Sequence, residues 1–347
     1  MNILISNWRR RGEGLGGQES FHDMLSDILK AKIISYESAE KVLKYFSCAD
    51  LFIQGHTIDN YLKWYEDLFD LDLIIKNSGI GGSIKLKTPQ IVIFQDPFHS
   101  ILIKMIQEGF FSSYERYLAQ IELQRMTAKQ GKTVAVSNFM KEDMKLCGIK
   151  CDKIIEEGVD IEKFKPIENK EELKRSHNLP LDKKIGIAVT KFLYQKGWSV
   201  LSELINKFPD IHWIVILTNK IGSKPKLKNV TLIEQVNPEL MSRFYNCADF
   251  FINTSPVESF GLSACEAASC DLPLIIYKTG FAWDWFDSKL GIRVDEWNYK
   301  AFENAVKNLF VEDGVKYEPR KAIIERGFTK ERMAKDWKDF IENLLKK

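Results

Sequence analysis

Two glutamates separated by seven residues bracket the start of a helical pattern in Ser255-Pro256-Val257-Glu258-Ser259-Phe260-Gly261-Leu262-Ser263-Ala264-Cys265-Glu266-Ala267. An apolar, strand-like run precedes this segment. Gly261 lets a ligand approach the main chain. The amides of Leu262 and Ser263 stand free at the helix start, an anion site suited to a phosphate. Glu266 lies about one turn further in, where a carboxylate can accept both hydroxyls of a ribose diol. Glu258 precedes the helix on the loop, placed to meet whatever is attached beyond the phosphates. By themselves, two glutamates near a helix start are ordinary solvated charges. The surrounding residues decide between the readings.

The segment resembles the Glu-x-Phe-Gly-Leu…Glu-Ala signature of retaining glycosyltransferases with the GT-B fold, glycosyltransferase family four (glycosyl transferases group 1). Cys270-Asp271-Leu272-Pro273-Leu274-Ile275 stands where that family has Cys-Gly-x-Pro-Val-Ile, with Asp271 a departure. Gly158-Val159-Asp160 through Phe164-Lys165-Pro166 resembles its interdomain crossing, with Glu157 in place of Asn. Val189-Thr190-Lys191 through Lys196-Gly197 resembles its Gly-Arg-Leu…Lys-Gly segment, and Gly14-Leu15-Gly16-Gly17-Gln18-Glu19 its glycine loop. The likeness covers most of the chain and is most specific over residues 185–280.

The resemblance implies transfer of a hexosyl unit from a nucleotide sugar, UDP- or GDP-linked, with retained configuration and no metal or cofactor. Glu258, Lys191 and Lys196 would be the catalytic groups. Charge grows on the β-phosphate as a nucleoside diphosphate leaves, and fixed cations stabilise it most in a closed, dry site. Lys191 stands where the family has Arg, keeping the charge but losing the bidentate fork. Phe260, Gly261, Leu262, Ser263, Glu266 and Val236 would bind the donor, with Gly16 and Gly17 admitting the diphosphate to the main chain. Gln95 and Asp96 follow a strand where the family has His-Asp facing the donor sugar. Gln95 can hydrogen-bond a hydroxyl but cannot titrate. His99 and His56 are further candidates for acceptor or sugar contact. The expected partners are the donor and a glycan, lipid-linked or small-molecule acceptor.

Other residues suggest different chemistry. Asp70-Leu71-Asp72 has the form of the metal motif of another glycosyltransferase fold, but it precedes a strand in the other half. Gly12-x-Gly14-x-x-Gly17 spells a dinucleotide fingerprint without the acidic residue that should end a second strand. A nicotinamide-dependent oxidoreductase would require NAD binding there. Trp8-Arg9-Arg10-Arg11 has the charge to touch anionic lipid. Glu234 could accept from guanine, leaving UDP and GDP both open. The departures at Gln95 and Lys191 keep a second class of function in view, a GT-B protein weakened in catalysis that serves as a nucleotide-sugar sensor or subunit.

The elements that must position these groups are α/β in order. Short apolar runs alternate with amphipathic stretches, as expected of parallel strands covered on both faces. The expected strands are Asn2–Ser6, Asp50–Gln54, Leu73–Lys76, Gln90–Gln95 and Thr133–Ser137. A second series follows with Lys184–Val189, His212–Thr218, Val230–Glu234, Phe250–Thr254 and Pro273–Tyr277. Helical patterns cover Gly17–Lys30 and Ile101–Lys129. Thr329 is the expected cap of a last helix with Met333, Trp337, Phe340 and Leu344 on one face. The boundary is expected near residue 165. An acceptor-side domain of 1–165, to which 330–347 returns, would then precede a nucleotide-sugar domain of 166–329. The expectation is two doubly wound, Rossmann-like sheets facing a cleft, since ligands bind beyond the carboxyl ends of such strands.

Composition agrees with this architecture. At 347 residues and 45% hydrophobic the chain is long enough for two cores, and its net charge of +2 does not suggest a nucleic-acid binder. No apolar run approaches the ~20 residues of a membrane span. Six cysteines without a Cys-x-x-Cys pair argue for reduced thiols and against a zinc site. A cytoplasmic protein, with contact at the inner face of the membrane, is the expectation.

Overall fold

The computed structural model describes residues 1–7, 17–35, 59–60, 62–79, 82, 84–109, 114–218, 227–311 and 316–346. The expected strand Asp50–Gln54 lies outside them, as do Gly16, His56 and the Trp8–Arg11 run.

The apolar runs form two six-stranded sheets, each paired in parallel throughout. In the first, β1 (Ile3–Asn7), β2 (Lys32–Ser35), β3 (Leu73–Asn77), β4 (Gln90–Phe94), β5 (Lys132–Ala135) and β6 (Lys153–Ile154) take the order β2-β1-β3-β4-β5-β6. In the second, β7 (Ile185–Thr190), β8 (His212–Leu217), β9 (Val230–Glu234), β10 (Phe250–Asn253), β11 (Leu274–Tyr277) and β12 (Gly291–Val294) take the order β12-β11-β10-β7-β8-β9. β3 and β4 are buried along their whole length, so Leu73–Ile75 and Ile91–Phe94 run on without polar alternation, and the Lys76, Asn77 and Gln90 beside them are buried as well. Trp213 and Phe250, both fully buried, meet edge to face in the second core.

Three strands were not expected: β2, β6 and β12, each of which ends its sheet. They are short, and each carries Lys or Arg within two to four residues, so no apolar run announces them. The single helix expected over Ile101–Lys129 is two, Phe98–Gln107 and Tyr114–Ala128. Gly109 at φ +76° turns the chain left-handed just past the first of them. Ser137 ends no strand; its hydroxyl caps the Asn138–Leu146 helix at the amide of Met140, 2.9 Å away.

The chain divides into two compact units, residues 1–156 with 333–347, and residues 157–332. The first change of unit therefore falls at Glu156–Glu157 rather than near residue 165. Residues 157–167 are tied into the second unit by long-range bonds. Arg320 donates to the carbonyls of Ile161, Phe164 and Ser269, and Lys330 pairs with Asp160 at 3.0 Å. Val159 also bridges to Thr329. The last helix, Lys330–Leu345, buries Met333, Trp337 and Ile341, a stripe at spacings of four. Phe340 and Leu344, expected on that stripe, are half-exposed at its edge. Among the described residues, no helix is long and apolar enough to cross a membrane.

Candidate active site

The order of the second sheet reverses between β7 and β10. This is the switch point of a doubly wound sheet, where the loops leaving adjacent strands part and leave room for a ligand. Two of the charged residues singled out above meet there. Lys196 ends a short 3₁₀ turn after β7, and Glu258 lies in the loop after β10. The Lys196 ammonium donates to both carboxylate oxygens of Glu258, at 2.9 and 3.0 Å.

The close approach depends on Gly197. Its φ of +67° is left-handed, and a Cβ there would collide with the Thr254 carbonyl. The Thr254 hydroxyl in turn donates to the Gly197 carbonyl at 2.9 Å, joining the β7 loop to the end of β10. Glu258 is held from two further directions. Its amide donates to the Thr279 hydroxyl after β11, at 2.9 Å, and the Asn253 side-chain amide approaches its carboxylate at 3.5 Å. Burial pushes the Glu258 carboxyl up, but the Lys196 charge and the hydrogen bonds from Lys196, Ser255 and Asn253 outweigh it and hold the group below its ordinary value.

Gly261 precedes the Leu262–Ser269 helix at φ +106°, a cap conformation that leaves no Cβ over the first turn. The first intrahelical acceptor is the Gly261 carbonyl, which takes the amides of Ala264 and Cys265. The amides of Leu262 and Ser263 precede that ladder and have no acceptor among the described residues, so they retain the potential to bind an anion. Phe260 is buried beneath, in contact with Phe281 and Phe328. Glu258, Phe260 and Gly261 line one recess together with Asn253, Thr279 and Phe281.

Glu266 stands apart from that recess, one turn into the helix. Its carboxylate accepts the hydroxyl of the fully buried Tyr245 at 2.8 Å. Burial raises the Glu266 carboxyl to about 7 against the Tyr245 bond and the Lys163 charge, which both favour its ionised form. Lys191 is half-buried with no carboxylate partner among the described residues, and its main chain is tied to that of Lys196 through the Thr190 hydroxyl, which donates to the Lys191 and Lys196 carbonyls at 3.2 and 3.1 Å. Val236 is buried just beyond β9.

In the first unit Gln95 is buried and Asp96 half-buried just past β4. His99 sits in the first turn of Phe98–Gln107, a helix whose start is fixed by the buried Asp143, which accepts the Ser100 amide at 2.7 Å. Gly17 opens the first helix. At the end of β3 stands Asn77, also buried, with neither side-chain atom partnered among the described residues. Asp70 and Asp72 belong elsewhere. Both bond Asn2 just before β1 and β3 begin, at the amino ends of these strands and so away from their carboxyl ends. No group of three His, Cys, Asp or Glu is arranged to hold a metal ion among the described residues.

Sequence reasoning missed Asn253, Thr279, Tyr245 and Asn77. Asn253 is the residue that could have been found, being a polar residue ending a buried strand five residues before Glu258. The others act across 21 residues or, for Asn77, through burial alone.

The glycosyl transferases group 1 family matches residues 169–330. A D-inositol 3-phosphate glycosyltransferase of Corynebacterium urealyticum is 28% identical over 182 residues, 46% of this chain and 43% of that one. The chain thus spans less than half the length of that relative. Among solved structures, sucrose-phosphate synthase of Thermosynechococcus elongatus superposes with a TM-score of 0.81 at 16% identity, over 99% of both chains. The Anabaena protein HepE, in complex with UDP-glucose, gives a TM-score of 0.76 at 16% identity, over 99% of this chain and all of that one. At such identities these structures establish the fold, the GT-B pairing of two Rossmann-like domains.

Proposed function

We propose, from the match of the glycosyl transferases group 1 family to residues 169–330, that this chain is a retaining, metal-independent glycosyltransferase of that family that moves a hexosyl unit from a nucleotide sugar. The observation that carries this reading is the Lys196–Glu258 pair at the switch point of the second sheet, beside the unpaired amides of Leu262 and Ser263. The pair joins a cation for the leaving diphosphate to a carboxylate for the sugar, next to a helix start with affinity for phosphate.

In the proposed mechanism the amides of Leu262 and Ser263 bind the diphosphate and Glu266 accepts the ribose hydroxyls. Glu258, kept ionised by Lys196, accepts from hydroxyls of the donor sugar. As the bond between the anomeric carbon and the phosphate oxygen breaks, charge collects on the β-phosphate, and Lys196 and Lys191 stabilise it without a metal. The acceptor hydroxyl attacks from the face the phosphate leaves. Its proton passes to the departing phosphate oxygen, so configuration is retained. Gln95, Asp96, His99 and Asn77, at or just past the ends of β3 and β4, are proposed to contact the acceptor. A UDP-linked hexose is the favoured donor, supported by the UDP-glucose complex of the Anabaena neighbour. A glycan, lipid-linked or small-molecule acceptor follows, supported by the inositol phosphate named for the Corynebacterium relative.

The test is release of nucleoside diphosphate from UDP-glucose, UDP-N-acetylglucosamine and GDP-mannose by the purified protein, with and without inositol phosphate or glucosyl acceptors. Slow hydrolysis alone, accelerated by an acceptor, is the expected result. Tight donor binding with no turnover under any condition would favour a nucleotide-sugar-binding subunit instead.

A further inference from the structure

Glu266 accepts most strongly from a ribose when its carboxylate is ionised and turned the right way. The helix that carries it supplies neither condition. Buried carboxylates favour the neutral acid, and a protonated Glu266 gives up one acceptor oxygen to its own O–H and accepts more weakly at the other than the anion does. The structure provides one direct counterweight. The Tyr245 hydroxyl, on the neighbouring Met241–Cys247 helix, donates to Oε2 of Glu266 at 2.8 Å. Its ring is fully buried and wedged edge to face between Phe164 and Phe251, at 6.0 and 6.1 Å, so the hydroxyl has little freedom to turn elsewhere.

We propose that Tyr245 is a positioning residue for nucleotide binding: its buried hydroxyl holds one oxygen of Glu266, keeping the carboxylate charged and leaving the other oxygen for the ribose diol. This rests on the reading of Glu266 as the ribose acceptor. Burial, reinforced by the Glu266 charge, holds the phenol well above its ordinary value, so Tyr245 remains a donor throughout the accessible range. The other charged or titratable groups around the pair are Lys163, Arg320 and two cysteines, one of them the buried thiol of Cys265 beside Glu266 on its own helix, which also acts on Tyr245. Lys163 favours the Glu266 anion while its ammonium pairs with Glu239 at 2.7 Å. Cys270, at the end of the same helix, is a neutral thiol pushed up to about 12, first by burial and then by Glu266. From the Pro319–Arg326 helix, Arg320 is occupied with carbonyls. Deleting the Tyr245 hydroxyl therefore removes the one direct hydrogen bond given to the Glu266 anion among the described residues.

The experiment uses the full-length protein and whichever of UDP, GDP or ADP binds it most tightly, with Kd measured by calorimetry from pH 5.5 to 9. Tyr245→Phe keeps the ring and its packing. The loss of one hydrogen bond to a charged group should move the titration governing binding upward by about one pH unit. The ratio of variant to wild-type Kd should then be roughly fivefold at pH 7 and approach one by pH 9, cancelling any titration of the nucleotide itself. Glu266→Gln should weaken binding at every pH without that profile. A constant Kd ratio for Tyr245→Phe, with Glu266→Gln still weakened, overturns the positioning role alone. If Glu266→Gln binds as wild type, or wild type binds no nucleotide, the ribose reading fails and takes this inference with it. Should Tyr245→Phe not fold, the wild-type protein labelled at tyrosine Cζ supplies the same decision. The resonance that Glu266→Gln displaces should follow a titration near neutral pH. If Glu266→Gln displaces no tyrosine resonance, the hydroxyl holds no carboxylate and the role is overturned.

Discussion

Replacing Lys196 by alanine separates the chemical role of this residue from ordinary binding. Its ammonium lies 2.9 and 3.0 Å from the two Glu258 oxygens, an attraction of roughly 5 kcal/mol at an effective dielectric near 20. The Lys196 side chain is 34% exposed and that of Glu258 17%, so screening and desolvation reduce the net contribution to about 1–2 kcal/mol. Stability should fall by that amount at pH 7. Glu258 is depressed below its ordinary value, so the contribution of the pair is present above pH ~4.5 and fades as pH falls through the depressed value. Melting curves of Lys196→Ala and wild type should therefore converge as pH falls below that depressed value. Catalysis should suffer more. Loss of one fixed charge at a developing anion costs about 10²–10³ in rate, whereas binding of the free nucleoside diphosphate should weaken less than tenfold. Steady-state kinetics and calorimetry on the same preparations make the comparison. Equal losses in kcat/KM and in nucleotide affinity would refute the assignment, because a group that acts as the phosphate departs must matter more in the transition state.

Glu266→Ala should weaken nucleotide binding by about 1.5–3 kcal/mol, measured by calorimetry with UDP and GDP. Gly197→Ala should destabilise the protein by at least ~2 kcal/mol and abolish the Lys196–Glu258 approach, seen as a lowered Tm together with lost turnover, because both its φ and its space exclude a Cβ. Trp337→Ala should cost ~3–5 kcal/mol in denaturant titrations, since this side chain is wholly buried on the last helix. Transfer should persist in EDTA and yield product with the donor's anomeric configuration; dependence on Mn²⁺ or an inverted linkage by NMR would contradict the proposed mechanism.

Much of this protein could be read from its residues in order. The bare apolar runs of β3, β4, β8 and β10 mark parallel strands because burial on both faces leaves no polar alternation. Gly261 and the glutamates on either side of it mark a strand-to-helix turn because cap geometry and helix periodicity are local properties. The edge strands β2, β6 and β12 escaped because two to four residues with a charge among them carry no periodicity. The break at Gly109 escaped because residues on both sides of it keep helical spacing. What tertiary structure alone decided is which groups meet. Lys196 and Glu258 are 62 residues apart, Tyr245 and Glu266 21, Glu258 and Thr279 also 21. The contacts of Glu258 with Lys196 and Thr279 exist because β10 lies between β7 and β11, so the loops leaving these three strands reach each other, while Tyr245 and Glu266 meet because the helices before and after β10 pack together. Strand order is fixed by how the whole sheet packs, and no local run of residues encodes it.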